Sequence, residues 1–223
     1  MRKGDDTKSL RDFHNSKEGT PTMGGVLIIG ALVLSTLVWG DLLNKYTLLA
    51  LLATLWLGAI GLIDDRLKMI KKRSKGLGAM TKLRWQLLIG LVIGVILYAD
   101  KGFPAGIEVP FFKNLIINLG LLYILFTAVV IVGSSNAVNL TDGLDGLAIG
   151  TMIMIALTYT IMSYLTGHAV FSDYLNIFFI PGSGELVVFC AALMGASLGF
   201  LWFNSYPATV FMGDTGSLAL GGA

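Results

Sequence analysis

Long apolar runs alternate with short polar joints along the whole chain. The runs cover roughly residues 23–40, 46–63, 85–99, 115–133, 147–166 and 186–203, and another begins near Ser217. A helix needs about 17–25 predominantly apolar residues to cross a bilayer. The pattern therefore predicts six full transmembrane helices and the start of a seventh. The run at Trp85 is the shortest, so its helix is expected to start a few residues earlier. Pro21, Pro104, Pro110, Pro181 and Pro207 all fall in joints, where a missing N–H is harmless. The predicted fold class is all-α, a polytopic membrane helix bundle forming one domain over residues 1–223. The last residues, LALGGA, read as the first turns of a further apolar helix, so the chain is expected to be a fragment.

Composition agrees with that class. The chain is 55% hydrophobic and 13% charged with a mean hydropathy of +0.76, against roughly 25% charged residues in soluble domains. The single cysteine, Cys190, excludes an intramolecular disulfide and reads as a small core residue. Charge placement orients the bundle. Of 16 Lys and Arg, five lie in residues 1–20 and eight in residues 64–84, two predicted spans apart and so on the same side. Only Lys45, Lys101 and Lys113 fall on the other side. By the positive-inside rule the basic side is cytoplasmic. Counting spans onward brings residues 134–145 and 204–216 out on that same side. The opposite joints, residues 100–114 and 167–184, read as short turns or small hairpins.

Every joint with suggestive chemistry lies on the basic side. In SSNAVNLTDGLDGLA, residues 134–148, Asn136, Asn139, Asp142 and Asp145 stand between two apolar runs. Helix capping explains one such residue, not two amides and two acids at a lipid boundary, where ionisable groups are expensive and mark sites. Asp142 and Asp145 share a face if a helix has begun there. Asp64 and Asp65 follow AIGLI and precede Lys68, Lys71, Lys72, Arg73 and Lys75. One carboxylate would bind metal or take a proton while the lysines hold phosphate oxygens. Asp214, in FMGDTGS, opens the last apolar run, where an N-cap or a phosphate-holding helix terminus is expected. GTPTMGG, residues 19–25, is a weaker phosphate-cradle candidate.

Five carboxylates at three segment ends, with no Cys/His cluster, favour Mg²⁺, a hard cation bound through carboxylates and substrate phosphates. Carboxylates, lysines and glycine-rich ends together fit phosphoryl transfer. No GxxxxGK[ST] loop is present, which argues against an ATPase. A cation transporter would place its carboxylates near mid-membrane rather than at one face.

GTPTMGG, the IDD pair with its lysines, NAVNLTDGLDGLA and FNSYPATVFMGDTGSLALGGA together resemble the polyprenyl-phosphate N-acetylhexosamine-1-phosphate transferase family, in particular its bacterial phospho-N-acetylmuramoyl-pentapeptide branch. The resemblance runs through essentially the whole chain. It implies a ten-helix fold, Mg²⁺ as cofactor, and transfer of phospho-MurNAc-pentapeptide from UDP-MurNAc-pentapeptide to undecaprenyl phosphate. Lipid I and UMP would be the products, made at the cytoplasmic face of the bacterial inner membrane. It also implies a homodimer among membrane lipids, with no nucleic acid partner. By motif, Asp214 would be the Mg²⁺ ligand. Asp64 would be the base or phosphate-handling acid, with Asp65 beside it. Asp142 and Asn139 would line the site, and Gly143, Leu144, Asp145, Asn204 and Phe211 would fall near the uridine. Thr20, Lys68, Lys72 and Lys75 would approach the diphosphate or the acceptor. Direct transfer and an aspartyl intermediate both stay open. The nearest rival is the sister branch that transfers GlcNAc-1-phosphate to the same type of lipid.

Overall fold

The computed structural model describes residues 20–71, 76–100, 102–108 and 115–223. In chain order the elements are α1 (Gly25–Trp39), α2 (Lys45–Lys71), α3 (Ala79–Ala99), β1 (Gly106–Glu108), β2 (Ile116–Asn118), α4 (Leu122–Thr141), α5 (Leu147–Gly167), α6 (Ala169–Leu175), α7 (Leu186–Asn204) and α8 (Gly213–Gly222). A 3₁₀ turn, Ser183–Glu185, leads into α7. Among the described residues, five helices are long and apolar enough to cross a membrane: Lys45–Ile70, Ala79–Ala99, Leu122–Thr141, Leu147–Gly167 and Ser183–Asn204. The expected span at residues 23–40 is a shorter apolar helix of 15 residues. The protein is a multi-pass, all-α membrane bundle. Its helices present Leu, Val, Ile and Met outward on many faces, as lipid-facing surfaces require.

Three helix boundaries differ from the apolar runs, and each difference moves chemistry. Helix α2 continues past Ile63 through Asp64, Asp65, Arg66 and Lys68 to Lys71. Its 27 residues measure roughly 40 Å, more than the roughly 30 Å hydrocarbon core. It therefore has about two turns more than a straight crossing needs, and its polar last two turns can continue the helix without lying in hydrocarbon. Helix α3 starts at Ala79, six residues before Trp85, and so includes Lys82. The run expected to span from Leu115 opens instead with β2, which pairs antiparallel with β1 (Ile107 opposite Ile117). Gly120, at φ +52°, separates that strand from α4. The helix then runs to Thr141, so Asn136 and Asn139 ride on it instead of lying in a joint.

Helix α8 is the keystone of the packing. It lies against α2 and α4, and also against α1. One core joins Ile28 and Leu32 of α1 with Ile149, Met152, Phe189, Leu193, Phe200 and Leu220. A second joins Ala53, Leu57 and Ile60 of α2 with Ile89 and Ile93 of α3 and Leu218 of α8. The α8 contacts are made backbone to backbone. A Cβ at Gly25 would lie 2.1 Å from Gly216 N, and one at Gly61 would lie 2.2 Å from Asp214 O. Only residues without side chains allow α1 and α2 to close on α8 this tightly.

Candidate active site

The carboxylates of Asp64 and Asp65 on α2 meet that of Asp214 on α8. Each of the three offers an oxygen within 4.8 Å of the others'. Two lysines hold them. Lys68 Nζ lies 2.7 Å from Asp64 Oδ2 and 3.0 Å from Asp214 Oδ2. Lys82 Nζ, from α3, lies 2.9 Å from Asp64 Oδ2 and 2.5 Å from Asp214 Oδ2. Asp64 is fully buried and also accepts the Leu77 backbone N–H at Oδ1, 2.5 Å away. A buried carboxylate persists only with such compensation. Three carboxylates and two ammonium groups leave the cluster one negative charge in excess.

Asp65 is engaged differently. Its Oδ1 accepts the backbone N–H of Asp214 at 3.3 Å. Its Oδ2 accepts both the N–H and the hydroxyl of Thr215, at 2.9 and 2.7 Å. The two N–H groups are free backbone donors of the first turn of α8. The N-cap position itself is Met212, which supplies no side-chain acceptor. The cap expected of Asp214 therefore comes from another helix. Gly213 sits between the two segments at φ +75°, and a Cβ there would lie 2.8 Å from Asp65 Oδ2.

The remaining predicted residues form a rim beside this centre. Asp142 is the C-terminal cap position of α4, and α5 begins only at Leu147 after Gly146 at φ +76°. No helix carries Asp142 and Asp145 on a shared face, because the left-handed glycine turns the chain between them and α5. Burial, with the nearby charges of Asp214 and Asp65, pushes the Asp142 carboxyl up to about 7. Burial acts in the same sense on Asp214. There the hydrogen bond with Asp64, followed by those with Lys82 and Lys68, outweighs it and holds the group well below the usual carboxylate range.

Asp145 Oδ2 accepts the Ala208 N–H at 3.2 Å. Asn204 is buried, accepts the Gly146 N–H at 3.1 Å and donates to Val210 O at 2.9 Å. It thus ties the start of α5 to the loop before α8, with both ends of its amide engaged inside the protein. Asn139 donates to Ser217 Oγ at 2.7 Å and so braces α8 from α4. Gly143 and Leu144 are exposed on the rim. Phe211 pairs through its backbone with Pro21 O and the Gly24 N–H, each at 2.9 Å, which brings Thr20 and the segment after it to the same end of the bundle. Lys72 and Lys75 lie outside the described residues.

In the sequence Lys82 counts only as an orienting charge and Thr215 only as part of a phosphate-holding helix terminus, and Gln86 is not singled out. Lys82 and Gln86 stand four residues apart on α3, a polar stripe on an otherwise apolar helix, which is the signal that marks them. Gln86 is buried, donates to Ser135 Oγ at 3.2 Å and accepts from Asn136 Nδ2 at 2.9 Å, locking α3 to α4 behind Lys82.

Comparison with known proteins meets the geometry here. The sequence profile of glycosyl transferase family 4 matches residues 47–223. The chain belongs to glycosyl transferase family 4. Within the family, residues 17–29 match phospho-N-acetylmuramoyl-pentapeptide-transferase signature 1. The chain is 54% identical over 211 residues to the phospho-N-acetylmuramoyl-pentapeptide-transferase of Pelobacter propionicus, and 53% identical over 212 residues to that of Citrifermentans bemidjiense. Each alignment covers 95% of this chain and 59% of the relative. The chain thus spans about three-fifths of the length of these curated family members.

Proposed function

We propose that this chain carries the catalytic centre of a transferase that moves phospho-MurNAc-pentapeptide from UDP-MurNAc-pentapeptide to undecaprenyl phosphate, releasing UMP and forming lipid I. The observation that carries the reading is the cluster of three carboxylates and two lysines at one end of an apolar bundle, in a chain 54% identical to a transferase of that name. A membrane-bound acceptor phosphate and a water-soluble nucleotide donor can meet only at such a boundary. The positive-inside rule supports a cytoplasmic position for this end, at the inner face of the bacterial cytoplasmic membrane. A domain longer than residues 1–223 and a homodimer are part of the same reading. The sister reaction with GlcNAc-1-phosphate is disfavoured, because the signature and both relatives carry the muramoyl-pentapeptide name.

The donor set fits Mg²⁺. All the candidate ligands are hard carboxylate oxygens, and Asp64 Oδ2 and Asp214 Oδ2 already share cationic partners. Asp214 and Asp64 would hold the ion, which when bound would neutralise phosphate charge. In the transfer, an oxygen of the acceptor phosphate bonds to the sugar-side phosphorus of the donor, and the bond from that phosphorus to the UMP oxygen breaks. Lys68 and Lys82 swing from their carboxylates to phosphate oxygens as the substrates arrive. Asp64 then faces the acceptor phosphate as the phosphate-handling acid. The rim of Asp142, Gly143, Leu144, Asp145, Asn204 and Phe211 surrounds the uridine end of the donor, with Asn139 behind it. Thr20, Lys72 and Lys75 serve the diphosphate or the acceptor.

The test is UMP release by the whole protein in detergent with undecaprenyl phosphate and Mg²⁺, comparing UDP-MurNAc-pentapeptide with UDP-GlcNAc. Release from the first alone is expected, and Asp214→Asn should nearly abolish it. Release from UDP-GlcNAc alone would overturn the reading.

A further inference from the structure

We infer that Asp65 is a positioning residue: it acts on the reaction by capping the first turn of α8 and so fixing Asp214, and it touches neither metal nor phosphate. The inference deepens the function proposed above and rests on it. Adjacent residues on a helix point about 100° apart, so Asp64 and Asp65 cannot serve the cluster equally. Asp64 turns one oxygen to Lys68 and Lys82. Asp65 turns both of its oxygens to donors of Asp214 and Thr215, and its nearest ammonium contact, to Lys68, is longer at 3.7 Å.

The surroundings are shaped for the cap. Asp65 is buried, and so are Thr215 and the residues after it through Leu220. Gly213 gives the left-handed backbone that turns the Asp214 and Thr215 N–H groups toward α2, and the space a Cβ would need there is filled by Asp65 Oδ2. A carboxylate at a helix N-terminus also meets the positive end of the helix dipole. Asp214 is the next residue and projects from this same turn. Its position relative to Asp64 is therefore set by the hydrogen bonds of Asp65.

The experiment is a double-mutant cycle in the whole protein. Asp65→Asn keeps the size but sets an amide N–H against the α8 donors. Thr215→Val removes only the hydroxyl donor, and Thr215→Ser restores it. We expect Asp65→Asn to lower kcat about a hundredfold, as a misplaced catalytic group does, and to raise the Mg²⁺ needed for half-maximal rate. Thr215→Val should lower kcat about tenfold, Thr215→Ser should approach wild type, and the double variant should be no worse than Asp65→Asn alone. Hydrogen exchange in metal-free protein reads the cap without chemistry. The amides of residues 214–216 should exchange about ten times faster in Asp65→Asn and faster in Thr215→Val, yet stay at the wild-type rate in Thr215→Ser. Multiplicative kinetic losses, or Asp65→Asn exchange unchanged from wild type, would overturn the inference. If no variant and no wild type releases UMP, the function proposed above fails while the exchange data still decide the cap.

Discussion

Replacing Lys82 with methionine should separate metal affinity from turnover. Its ammonium lies 2.9 Å from Asp64 Oδ2 and 2.5 Å from Asp214 Oδ2, the two oxygens a divalent ion would use. An ammonium and a divalent ion about 4 Å apart repel by about 8 kcal/mol at an effective dielectric of about 20. The side chain is flexible and one-fifth exposed, so it would withdraw when the ion binds. At about 8 Å and an effective dielectric of about 60, repulsion of about 1–2 kcal/mol remains, equivalent to about five- to thirtyfold in affinity. Methionine keeps the apolar stem and removes this term, so the variant should bind metal about five- to thirtyfold more tightly. It also loses a phosphate-facing cation, and kcat should fall about a hundred- to a thousandfold. Without metal, Asp64 keeps Lys68 but loses its second ammonium, a destabilisation of about 1–3 kcal/mol, the loss of one hydrogen bond to a charged group. Titration with Mn²⁺ followed by electron paramagnetic resonance gives the affinity, UMP release gives kcat, and melting with and without Mg²⁺ gives the stability. Metal affinity that is unchanged or weaker in the variant would show that lysine and ion do not share these carboxylates.

Two other outcomes follow from the packing and the charges. Gly61→Ala would put a methyl group 2.2 Å from Asp214 O and 2.6 Å from Thr215 Cα; backbone must move, so a loss of about 3 kcal/mol and of most turnover is expected, whereas Gly150→Ala, with nothing within 4 Å, should behave as wild type. Equal melting temperatures for the two variants would refute the close approach of α2 and α8. Asp142 has a folded-state pKa of about 7 against about 3.9 unfolded, so the folded state holds the extra proton between them. Metal-free stability should fall as pH rises from about 4 to 7 and level off beyond it. Asp142→Asn should flatten that slope in a melting series, and an unchanged slope would place the carboxyl in water.

The apolar runs determined that this chain is a bundle of membrane helices, because backbone groups in hydrocarbon must be satisfied within each segment. The charge asymmetry and the span count put every acidic motif at one end, and the structure gathers Asp64, Asp65 and Asp214 there within 4.8 Å. These features are legible because hydropathy is a property of single segments. What lay beyond them was decided between segments. Hydropathy marks where a run stops being apolar, not where a helix stops: the apolar run of α2 ends at Ile63 while its helix continues to Lys71, and the helix of α3, expected to start a few residues before Trp85, starts at Ala79. Extending both helices lets Lys82 reach two carboxylates from α2 and α8. Helix geometry says that the two acids of the IDD pair diverge, but not which of them faces which partner. Only the approach of α8, allowed by Gly25 and Gly61, gives Asp64 the lysines and Asp65 the helix terminus. A pairing between residues 150 positions apart leaves no periodic trace in either segment. It exists because helices separated along the chain pack backbone to backbone, and that contact is a property of the tertiary structure alone.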